Sequence, residues 1–227
     1  MQVDMKKMAG ERAAQYVKDG MIVGLGTGST AYHMVNAVGQ MVKNGLSIRA
    51  IPTSSATEAQ ARELGIPLLT IDELDHVDLA IDGVDEIDPQ FNAIKGGGGA
   101  LYREKVVASL AKEVIWIMDE SKLVDKIGAF HLPVEIAQYG AKQAMARMAA
   151  FGWNPVLRIK NGETFVTDNG NFIADLHLGA GFNIEQVYGR LSGMLGVLEH
   201  GLFLNMCNRM IVGCASGEVR IIENPSK

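Results

Sequence analysis

The amino-acid sequence predicts an α/β protein in which a doubly wound, mostly parallel sheet is interrupted by a smaller α+β domain. Through about the first 130 residues, short apolar strands alternate with helices, which is typical of βαβ units and a parallel sheet. Beyond Leu132, several short strands follow one another across turn residues, which is typical of an α+β unit. The last two apolar segments can return to the parallel sheet, so we predict that the smaller domain is an insertion.

The first part of the chain is expected to alternate strand and helix. A helix is predicted over Asp4–Val17 because its apolar residues recur at helical spacing. The expected strands are Met21–Gly24, Leu46–Ile51, Ile66–Leu69, Val77–Ile81 and Val114–Met118. The expected helices between them are Ser29–Lys43, Ser55–Leu64 and Ala100–Lys112, with a flexible loop at Gly96–Gly99.

The second part of the chain is expected to form the insertion. Its strands are predicted at Pro133–Ile136, Val156–Lys160, Thr164–Thr167, Phe172–Leu176 and Val197–Leu204, and its helices at Tyr139–Phe151 and Ile184–Met194. Asn161-Gly162 and Asp168–Gly170 are the turn signals between the middle strands. The final strands are expected at Met210–Gly213 and Val219–Ile222. We therefore predict a Rossmann-like domain of residues 1–130 and 206–227 and a ferredoxin-like α+β domain of residues 131–205.

Composition narrows the class of protein. The 227 residues carry a net charge of −5, which disfavours a nucleic-acid-binding protein, since such proteins usually carry a basic face. The polar amino terminus lacks the apolar core of a signal peptide, and no apolar run approaches the roughly 18 residues of a membrane span. Two cysteines and five histidines stand in no metal-ligand spacing. We therefore expect a cytoplasmic protein without a metal, bound to neither membrane nor nucleic acid.

A first glycine-rich loop, Gly24–Thr30, joins the first strand to the second helix. Peptide N–H groups, the helix amino terminus and the hydroxyls of Thr27, Ser29 and Thr30 can together bind a phosphate. The dinucleotide fingerprint needs a third glycine where Ser29 stands, and the nucleotide P-loop needs Gly-Lys-Ser/Thr. The loop therefore suits a single phosphate group. The alternative is a tight turn in which Ser29 or Thr30 is an ordinary N-cap.

Acidic residues follow the strand Val77–Ile81. Asp82 and Asp85 lie three residues apart, a spacing that suits binding of sugar hydroxyls or of a divalent cation, although the calcium-loop pattern is not met. The alternative is a solvated acidic turn. Farther along, Lys95 precedes four glycines, and a lysine beside accessible peptide N–H groups can bind an oxyanion or a phosphate. The alternative for the glycines is a flexible linker.

Glu104 is the most informative acidic residue. In the predicted helix it lines up with Ala100, Leu101, Val107, Ala108 and Ala111 rather than with the charged stripe. Desolvation of a carboxylate in such a place raises its pKa, which suits a general base, while the helix dipole partly opposes the rise. The alternative is a capping or salt-bridged glutamate.

These residues together predict one chemistry. Moving a carbonyl between C1 and C2 of a sugar needs a carboxylate that removes and returns a proton. It also needs a fixed hydrogen-bond donor for the enediolate and a binding site for the remote phosphate. Glu104, Lys95 and the loop at Thr27–Thr30 can supply these, and Asp82 with Asp85 can orient hydroxyls. No redox cofactor or metal is required, and the expected ligand is a sugar phosphate.

The ordered set of motifs resembles the type A ribose-5-phosphate isomerases over nearly the whole chain. The motifs that carry the resemblance are Gly26–Thr30, Asp82–Glu86, Lys95–Gly98, Arg103-Glu104-Lys105, Asp119–Lys122, Leu132–Glu135 and Val166–Asn171. The family interconverts ribose 5-phosphate and ribulose 5-phosphate without a metal or other cofactor and is usually oligomeric. The resemblance therefore implies a homo-oligomer, a dimer or a tetramer, and suggests an oligomerisation role for residues 131–205.

The resemblance also implies roles for individual residues. It makes Glu104 the general base. The residues that it assigns to substrate binding are Thr27, Gly28, Ser29, Thr30, Asp82, Gly83, Val84, Asp85, Lys95, Gly96, Gly97 and Gly98, with Lys122 and Lys6 adding positive charge. Cys207-Asn208-Arg209 departs from the family pattern, which bears on local packing or a subunit contact more than on the chemistry.

Three other functions are alternatives to this one. A related sugar-phosphate isomerase, deaminase or lactonase can use a similar sheet. A non-catalytic sugar-phosphate sensor needs no placed base and usually carries an attached DNA-binding domain, whereas Glu104 is present here and the amino terminus is short. A nucleotide-binding module is disfavoured by the composition of the first glycine loop.

Overall fold

The computed structural model describes residues 3–227, whose contacts divide the chain into two compact units. The first unit contains the described part of 1–84 together with 103–122 and 205–227, and the second contains 85–102 and 123–204. Each unit has its own hydrophobic core. The predicted domains divide the chain at 130/131 and 205/206. The two units also place residues 85–102 and 123–130 with the inserted part. The predicted division therefore stays a prediction.

The secondary structure consists of short strands and helices of nine to fifteen residues. The helices are α1 (Met5–Ala14), α2 (Ser29–Lys43), α3 (Ser55–Glu63), α4 (Leu101–Leu110), α5 (Ala141–Ala149) and α6 (Ile184–Ser192). The strands are β1 (Ile22–Leu25), β2 (Arg49–Pro52), β3 (Val77–Gly83), β4 (Glu86–Ile87), β5 (Ala93–Ile94), β6 (Ala111–Asp119), β7 (Leu132–Ile136), β8 (Pro155–Leu157), β9 (Ile159–Lys160), β10 (Glu163–Thr164), β11 (Phe172–Leu176), β12 (Val197–His200), β13 (Leu202–Phe203), β14 (Arg209–Gly213) and β15 (Val219–Glu223).

The first unit is built on a six-stranded sheet in the order β15-β14-β6-β3-β1-β2. All neighbouring strands are parallel except β15, which runs antiparallel to β14 at the edge. The central strands are buried along nearly their whole length, as expected of a parallel sheet covered on both faces. The prediction of a doubly wound, mostly parallel sheet is confirmed.

Close packing of α1 on α2 depends on Gly10. A β-carbon placed there would lie 2.8 Å from the backbone nitrogen of Met34 and 3.0 Å from the carbonyl oxygen of Thr30. Met34, Val35 and Val38 of α2 are fully buried in the core of the first unit. This packing fixes the amino-terminal end of α2, which directly follows the first glycine loop.

The second unit contains a four-stranded antiparallel sheet in the order β12-β7-β11-β8, with α5 and α6 as its helices. The chain order strand–helix–strand–strand–helix–strand, with the first and third strands in the centre, is the ferredoxin-like arrangement that the sequence predicts. The β9–β10 hairpin lies between β8 and β11 in the chain. A three-stranded sheet, β13-β5-β4, completes this unit.

Several predicted element boundaries differ from the structure. The predicted helix Ala100–Lys112 ends at Leu110, because Ala111 already pairs with Val77 in the sheet. The predicted strand Ile66–Leu69 is reduced to a single bridge between Leu68 and Ala50. The two-residue strands β4 and β5 were not predicted, since two residues carry no periodicity. Within residues 3–227, no helix combines the length and apolar character needed to cross a membrane.

Candidate active site

The first glycine loop leads from β1 into α2 at the carboxyl edge of the parallel sheet. Gly26 is required there, because a β-carbon on it would lie 2.2 Å from Oδ1 of Asp82. Gly28 occupies the N-cap position of α2 with a φ of 109°, a backbone conformation that favours glycine. The alternative in which Ser29 or Thr30 is the N-cap is therefore wrong, and their hydroxyls are not used for capping.

Asp82 holds this loop in place from the end of β3. Its Oδ1 accepts hydrogen bonds from the backbone N–H of Thr27 at 2.9 Å and of Gly83 at 2.7 Å. The residue is only 3% exposed. Farther along the acidic segment, Glu86 and Asp88 are also buried. The alternative of a solvated acidic turn is therefore wrong, since these carboxylates anchor the backbone.

A cluster of hydroxyl groups fixes the side chain of Thr27. Its Oγ1 lies 2.7 Å from Oγ1 of Thr53, 2.8 Å from Oγ of Ser54 and 3.3 Å from Oγ1 of Thr57. Thr57 in turn donates to the carbonyl oxygen of Gly26 at 3.0 Å. Sequence reasoning missed these residues, although the adjacency of β1 and β2 implies that the loops after the two strands meet.

A lysine from α1 lies at the amino terminus of α2. Lys6 Nζ donates a hydrogen bond to Oγ of Ser29 at 3.0 Å. The exposed Ser29 and the buried Thr30 form the first turn of α2, where peptide N–H groups and the helix dipole favour an anion. The structure thus brings together Lys6 and Ser29, two residues that the family resemblance assigns to substrate binding.

Glu104 lies in the first turn of α4 and is 4% exposed. It lines a small pocket in the first unit together with Asp82, Gly26 and Thr53, and Val107 and Trp116 form part of the apolar wall. Leu101, Val107 and Ala108 are buried, so Glu104 lies on the apolar side of the helix as predicted. A carboxylate in this setting is shielded from water, as a general base for a carbon acid must be.

The second unit holds the other group of predicted residues. Asp85 Oδ2 accepts a hydrogen bond from the backbone N–H of Gly97 at 2.7 Å. Lys95 is 2% exposed, and its Nζ lies 5.2 Å from the ring centre of Phe203, within the range of a cation–π contact. A buried ammonium beside a glycine turn is a strong electrostatic feature, because the low dielectric of the interior weakens screening.

The four glycines after Lys95 form an ordered turn. The N–H of Gly99 donates to the carbonyl oxygen of Gly96 at 2.9 Å, and these two residues have φ values of 87° and 99°. A β-carbon on Gly97 would lie 2.5 Å from Oδ1 of Asp85. The prediction of a flexible loop is corrected accordingly, since hydrogen bonds and close approaches define the path of this segment.

An arginine that sequence reasoning missed supports the same turn. Arg158 donates from Nη1 to the carbonyl oxygens of Gly96 and Gly97, and its guanidinium pairs with Asp175. His131 lies beside this pair, with Nε2 3.4 Å from Oδ1 of Asp175. Burial lowers the pKa of His131, and the Asp175 carboxylate opposes that shift. No sequence signal links Arg158 to a turn some sixty residues earlier in the chain.

The remaining predicted residues lie close to these groups in the chain. Gly83 ends β3, Val84 is nearly buried, and Gly98 is exposed within the glycine turn. Lys122 is half-buried in a 3₁₀ turn that follows β6, a neighbour of β3 in the sheet. Among residues 3–227, no group of three or more histidine, cysteine, aspartate or glutamate side chains is placed to hold a metal ion.

The divergent segment Cys207-Asn208-Arg209 enters the parallel sheet. Asn208 Oδ1 accepts from the N–H of Val114 at 2.8 Å, and Arg209 begins β14. Cys207 is fully buried, and burial raises the pKa of its thiol to about 12. This segment therefore serves packing in the first unit.

Comparison with known proteins defines the class to which this fold and these residues belong. A family model described as ribose 5-phosphate isomerase A (phosphoriboisomerase A) matches residues 49–217. The chain is 54% identical over 221 residues to ribose-5-phosphate isomerase A of Streptococcus gordonii, an alignment that covers 97% of this chain and 98% of that protein.

Solved structures agree with this assignment. Ribose 5-phosphate isomerase from Plasmodium falciparum superimposes with a TM-score of 0.94 at 37% identity, covering 97% of this chain and 98% of that chain. A D-ribose-5-phosphate isomerase in complex with phospho-erythronic acid gives a TM-score of 0.92 at 35% identity, covering 98% and 100%. The chain is thus an isomerase of the intramolecular oxidoreductase class. It belongs to the ribose 5-phosphate isomerase A family and isomerises pentose phosphates.

Proposed function

We propose that the protein interconverts D-ribose 5-phosphate and D-ribulose 5-phosphate through an enediolate, with Glu104 as the general base. The observation that carries this proposal is the burial of the Glu104 carboxylate in a small pocket that Asp82 and Gly26 also line. A base for a carbon acid must be shielded from water and close to a small ligand. The burial of Glu104 meets the first requirement, and the pocket that it lines is the proposed place of the reacting carbon atoms.

The reaction requires two proton transfers at carbon. Glu104 removes the proton from C2 of the open-chain aldose, and the electrons move through the former carbonyl to give an enediolate. The hydroxyl proton on the oxygen at C2 passes to the oxygen at C1. The same carboxyl group then returns a proton to C1, and the oxygen at C2 becomes the carbonyl of the ketose. The electrons balance without any external oxidant or reductant, and we propose that neither a metal nor another cofactor takes part.

Negative charge develops on the substrate oxygens in the enediolate. Lys95 is the proposed donor for this charge, because a buried ammonium stabilises an oxyanion far more strongly than one in water does. Asp82 and Asp85 are proposed to orient substrate hydroxyls, and Gly83, Val84 and the peptide groups of the glycine turn are proposed to contact the substrate. Each of the two aspartates also accepts a backbone N–H hydrogen bond, which fixes its orientation.

The phosphate is proposed to bind at the first turn of α2. Lys6 and Ser29 already lie in contact there, and Thr30 and Gly28 flank them. The positive end of the helix dipole and a lysine together favour a dianionic phosphate. Thr27 supports this loop through the hydroxyl cluster, and Lys122 adds positive charge near the same edge of the sheet.

One related structure contains phospho-erythronic acid. This compound has a carboxylate where the sugar has its reacting carbon atoms, and a planar carboxylate resembles an enediolate in shape and charge. A site built for an enediolate binds such an acid more tightly than the substrate. The ligand of that relative therefore supports an enediolate reaction in this protein.

The experiment that tests the base is the variant Glu104→Gln. Gln keeps the size of the side chain but cannot accept a proton, so turnover of ribose 5-phosphate in EDTA should fall by about 10²–10⁴-fold. Inhibition by inorganic phosphate should stay close to that of the wild type. The matched control is Glu58→Gln on the surface of α3, which should retain full activity. Near-normal turnover by Glu104→Gln would show that another group is the base.

We also propose that the protein is a cytoplasmic homo-oligomer, a dimer or a tetramer, with the inserted α+β part in the interface. Several large apolar side chains of the second unit are exposed, among them Leu195, Ile159 and Val156. Both cysteines are free thiols, as expected of a reducing compartment. Sedimentation equilibrium measures the assembly directly, and a monomer at micromolar concentration would contradict this proposal.

A further inference from the structure

The guanidinium of Arg158 is fixed from one side by a carboxylate. Nε donates to Oδ2 of Asp175 at 2.9 Å and Nη2 donates to Oδ1 at 2.5 Å. Both side chains are 12% exposed. A bidentate arginine–carboxylate pair of this kind sets the plane of the guanidinium as well as its position. Arg158 is therefore a rigid donor whose remaining N–H groups point in a defined direction.

That direction is toward the glycine turn. Nη1 of Arg158 donates to the carbonyl oxygen of Gly96 at 2.9 Å and to that of Gly97 at 3.0 Å. The peptide unit between these glycines is held at its other end by Asp85, because the N–H of Gly97 donates to Oδ2 of that residue. The same peptide group is thus hydrogen-bonded to Arg158 through its carbonyl oxygen and to Asp85 through its N–H.

These two hydrogen bonds are needed to order the turn, because glycine loses more conformational freedom on ordering than any other residue. Nearby aromatic packing adds to them, since the Phe165 ring centre lies 6.0 Å from the Arg158 guanidinium carbon. The same ring leaves no room for a side chain at Gly99, where a β-carbon would lie 2.5 Å from it. The turn is therefore held by Arg158 and Phe165, which flank the β9–β10 hairpin, and Arg158 is in turn held by Asp175 of β11.

We propose that Arg158, oriented by Asp175, is a positioning residue for the isomerisation. It sets the peptide plane between Gly96 and Gly97, and through that peptide it sets the carboxylate of Asp85. This inference rests on the proposed function, in which the glycine turn and Asp85 contact the reacting end of the sugar. Arg158 itself is not proposed to touch the substrate.

The test uses Arg158→Lys and Asp175→Asn in the full-length protein. Lysine keeps the charge but lacks the fork that reaches both carbonyls and the carboxylate, and asparagine keeps size but loses the bidentate pair. Each variant should lower kcat by about 10- to 100-fold, the cost of a small displacement at a reacting centre. KM should change less than about threefold, and inhibition by inorganic phosphate should not change, because the phosphate site is untouched.

Hydrogen–deuterium exchange gives a readout that does not depend on activity. The amides of Gly97 and Gly99 should exchange slowly in the wild type and faster in both variants, because each donates a hydrogen bond that depends on the position of the peptide held by Arg158. The matched control is Arg209→Lys, since Arg209 also pairs with two carboxylates, those of Glu113 and Glu223. It should leave kcat and the exchange of residues 96–99 unchanged.

Three results would overturn the inference. One is wild-type kcat in a folded Arg158→Lys or Asp175→Asn variant. Another is exchange of the Gly97 and Gly99 amides in the wild type as fast as in an unstructured peptide, a result that can be obtained even if neither variant folds. The third is an equal loss of kcat in Arg209→Lys. The outcome for Glu104→Gln is separate, so failure of the base assignment and failure of this inference are distinguished.

Discussion

Asp82 connects the local structure of the first glycine loop to the proposed chemistry. One oxygen of its carboxylate accepts the N–H groups of Thr27 and Gly83, while the residue also lines the pocket that contains Glu104. Gly26 makes this possible, because only a residue without a side chain lets the backbone approach the carboxylate so closely. The loop and the pocket therefore depend on the same contact.

Gly26→Ala tests that dependence at the scale of one methyl group. The added β-carbon would lie 2.2 Å from Asp82 Oδ1, so the loop or the carboxylate must move. We expect a loss of about 1–3 kcal/mol in the free energy of unfolding, as for overpacking in a core, and a larger relative loss of kcat/KM. Urea unfolding and steady-state kinetics measure the two effects.

The control for this substitution is Gly189→Ala in α6. Apart from its chain neighbours and the backbone of its own helix, no heavy atom lies within 4 Å of a β-carbon placed on Gly189. Alanine in a helix is favoured over glycine, so this variant should be as stable as the wild type or more stable by about 0.5–1 kcal/mol. Equal effects of the two substitutions would show that the contact between Gly26 and Asp82 is unimportant.

At the scale of elements, the clearest patterns in the sequence predict the structure best. The bounds of α2 and β11 agree with the prediction to the residue, because each has a strong periodic pattern and a turn at its ends. The junction between α4 and β6 was misplaced, since pairing of Ala111 with Val77 overrides local helix propensity. The bridge at Leu68 and the strands β4 and β5 depend on tertiary neighbours that a single sequence does not reveal.

Asp78 links the elements β1 and β3 through its side chain. The backbone N–H of Ile22 donates to its carboxylate at 2.9 Å and Lys112 Nζ donates at 2.8 Å. The hydrogen bond from Ile22, and then the interaction with Lys112, hold the pKa of Asp78 below its ordinary value of 3.8. Because the folded state favours the ionised form, this contribution to stability is present at neutral pH and is lost as the pH falls below 3.8.

Asp78→Asn should therefore lower stability most at neutral pH. The expected loss in the free energy of unfolding is about 1 kcal/mol at pH 7, the scale of one hydrogen bond to a charged group partly exposed to solvent. The difference from the wild type should shrink as the pH falls through 3.8, provided the fold persists there. Denaturant titrations across pH measure this, with exposed Asp125→Asn as the control. A difference that stays constant with pH would contradict the assignment.

For the whole molecule, the sequence predicts the sheet types and the functional motifs better than the contacts that support them. The motifs at residues 26–30, 82–86 and 95–98 are contiguous in the chain and so can be recognised in it. The hydroxyl cluster around Thr27 and the pair of Arg158 with Asp175 join residues that are distant in the chain. Such groups become visible only when the fold brings them together.

The central claim is that the reaction passes through an enediolate whose proton is carried by Glu104. The most direct measurement uses ribose 5-phosphate labelled with deuterium at C2, incubated with the protein in ordinary water. A carboxyl group that holds the deuteron can exchange it with water before returning a proton to C1. We therefore predict that part of the label appears at C1 of ribulose 5-phosphate and part is lost to the solvent, and that Glu104→Gln shows neither. Complete transfer of the label to C1 at an unchanged rate in Glu104→Gln would contradict both the enediolate and the base.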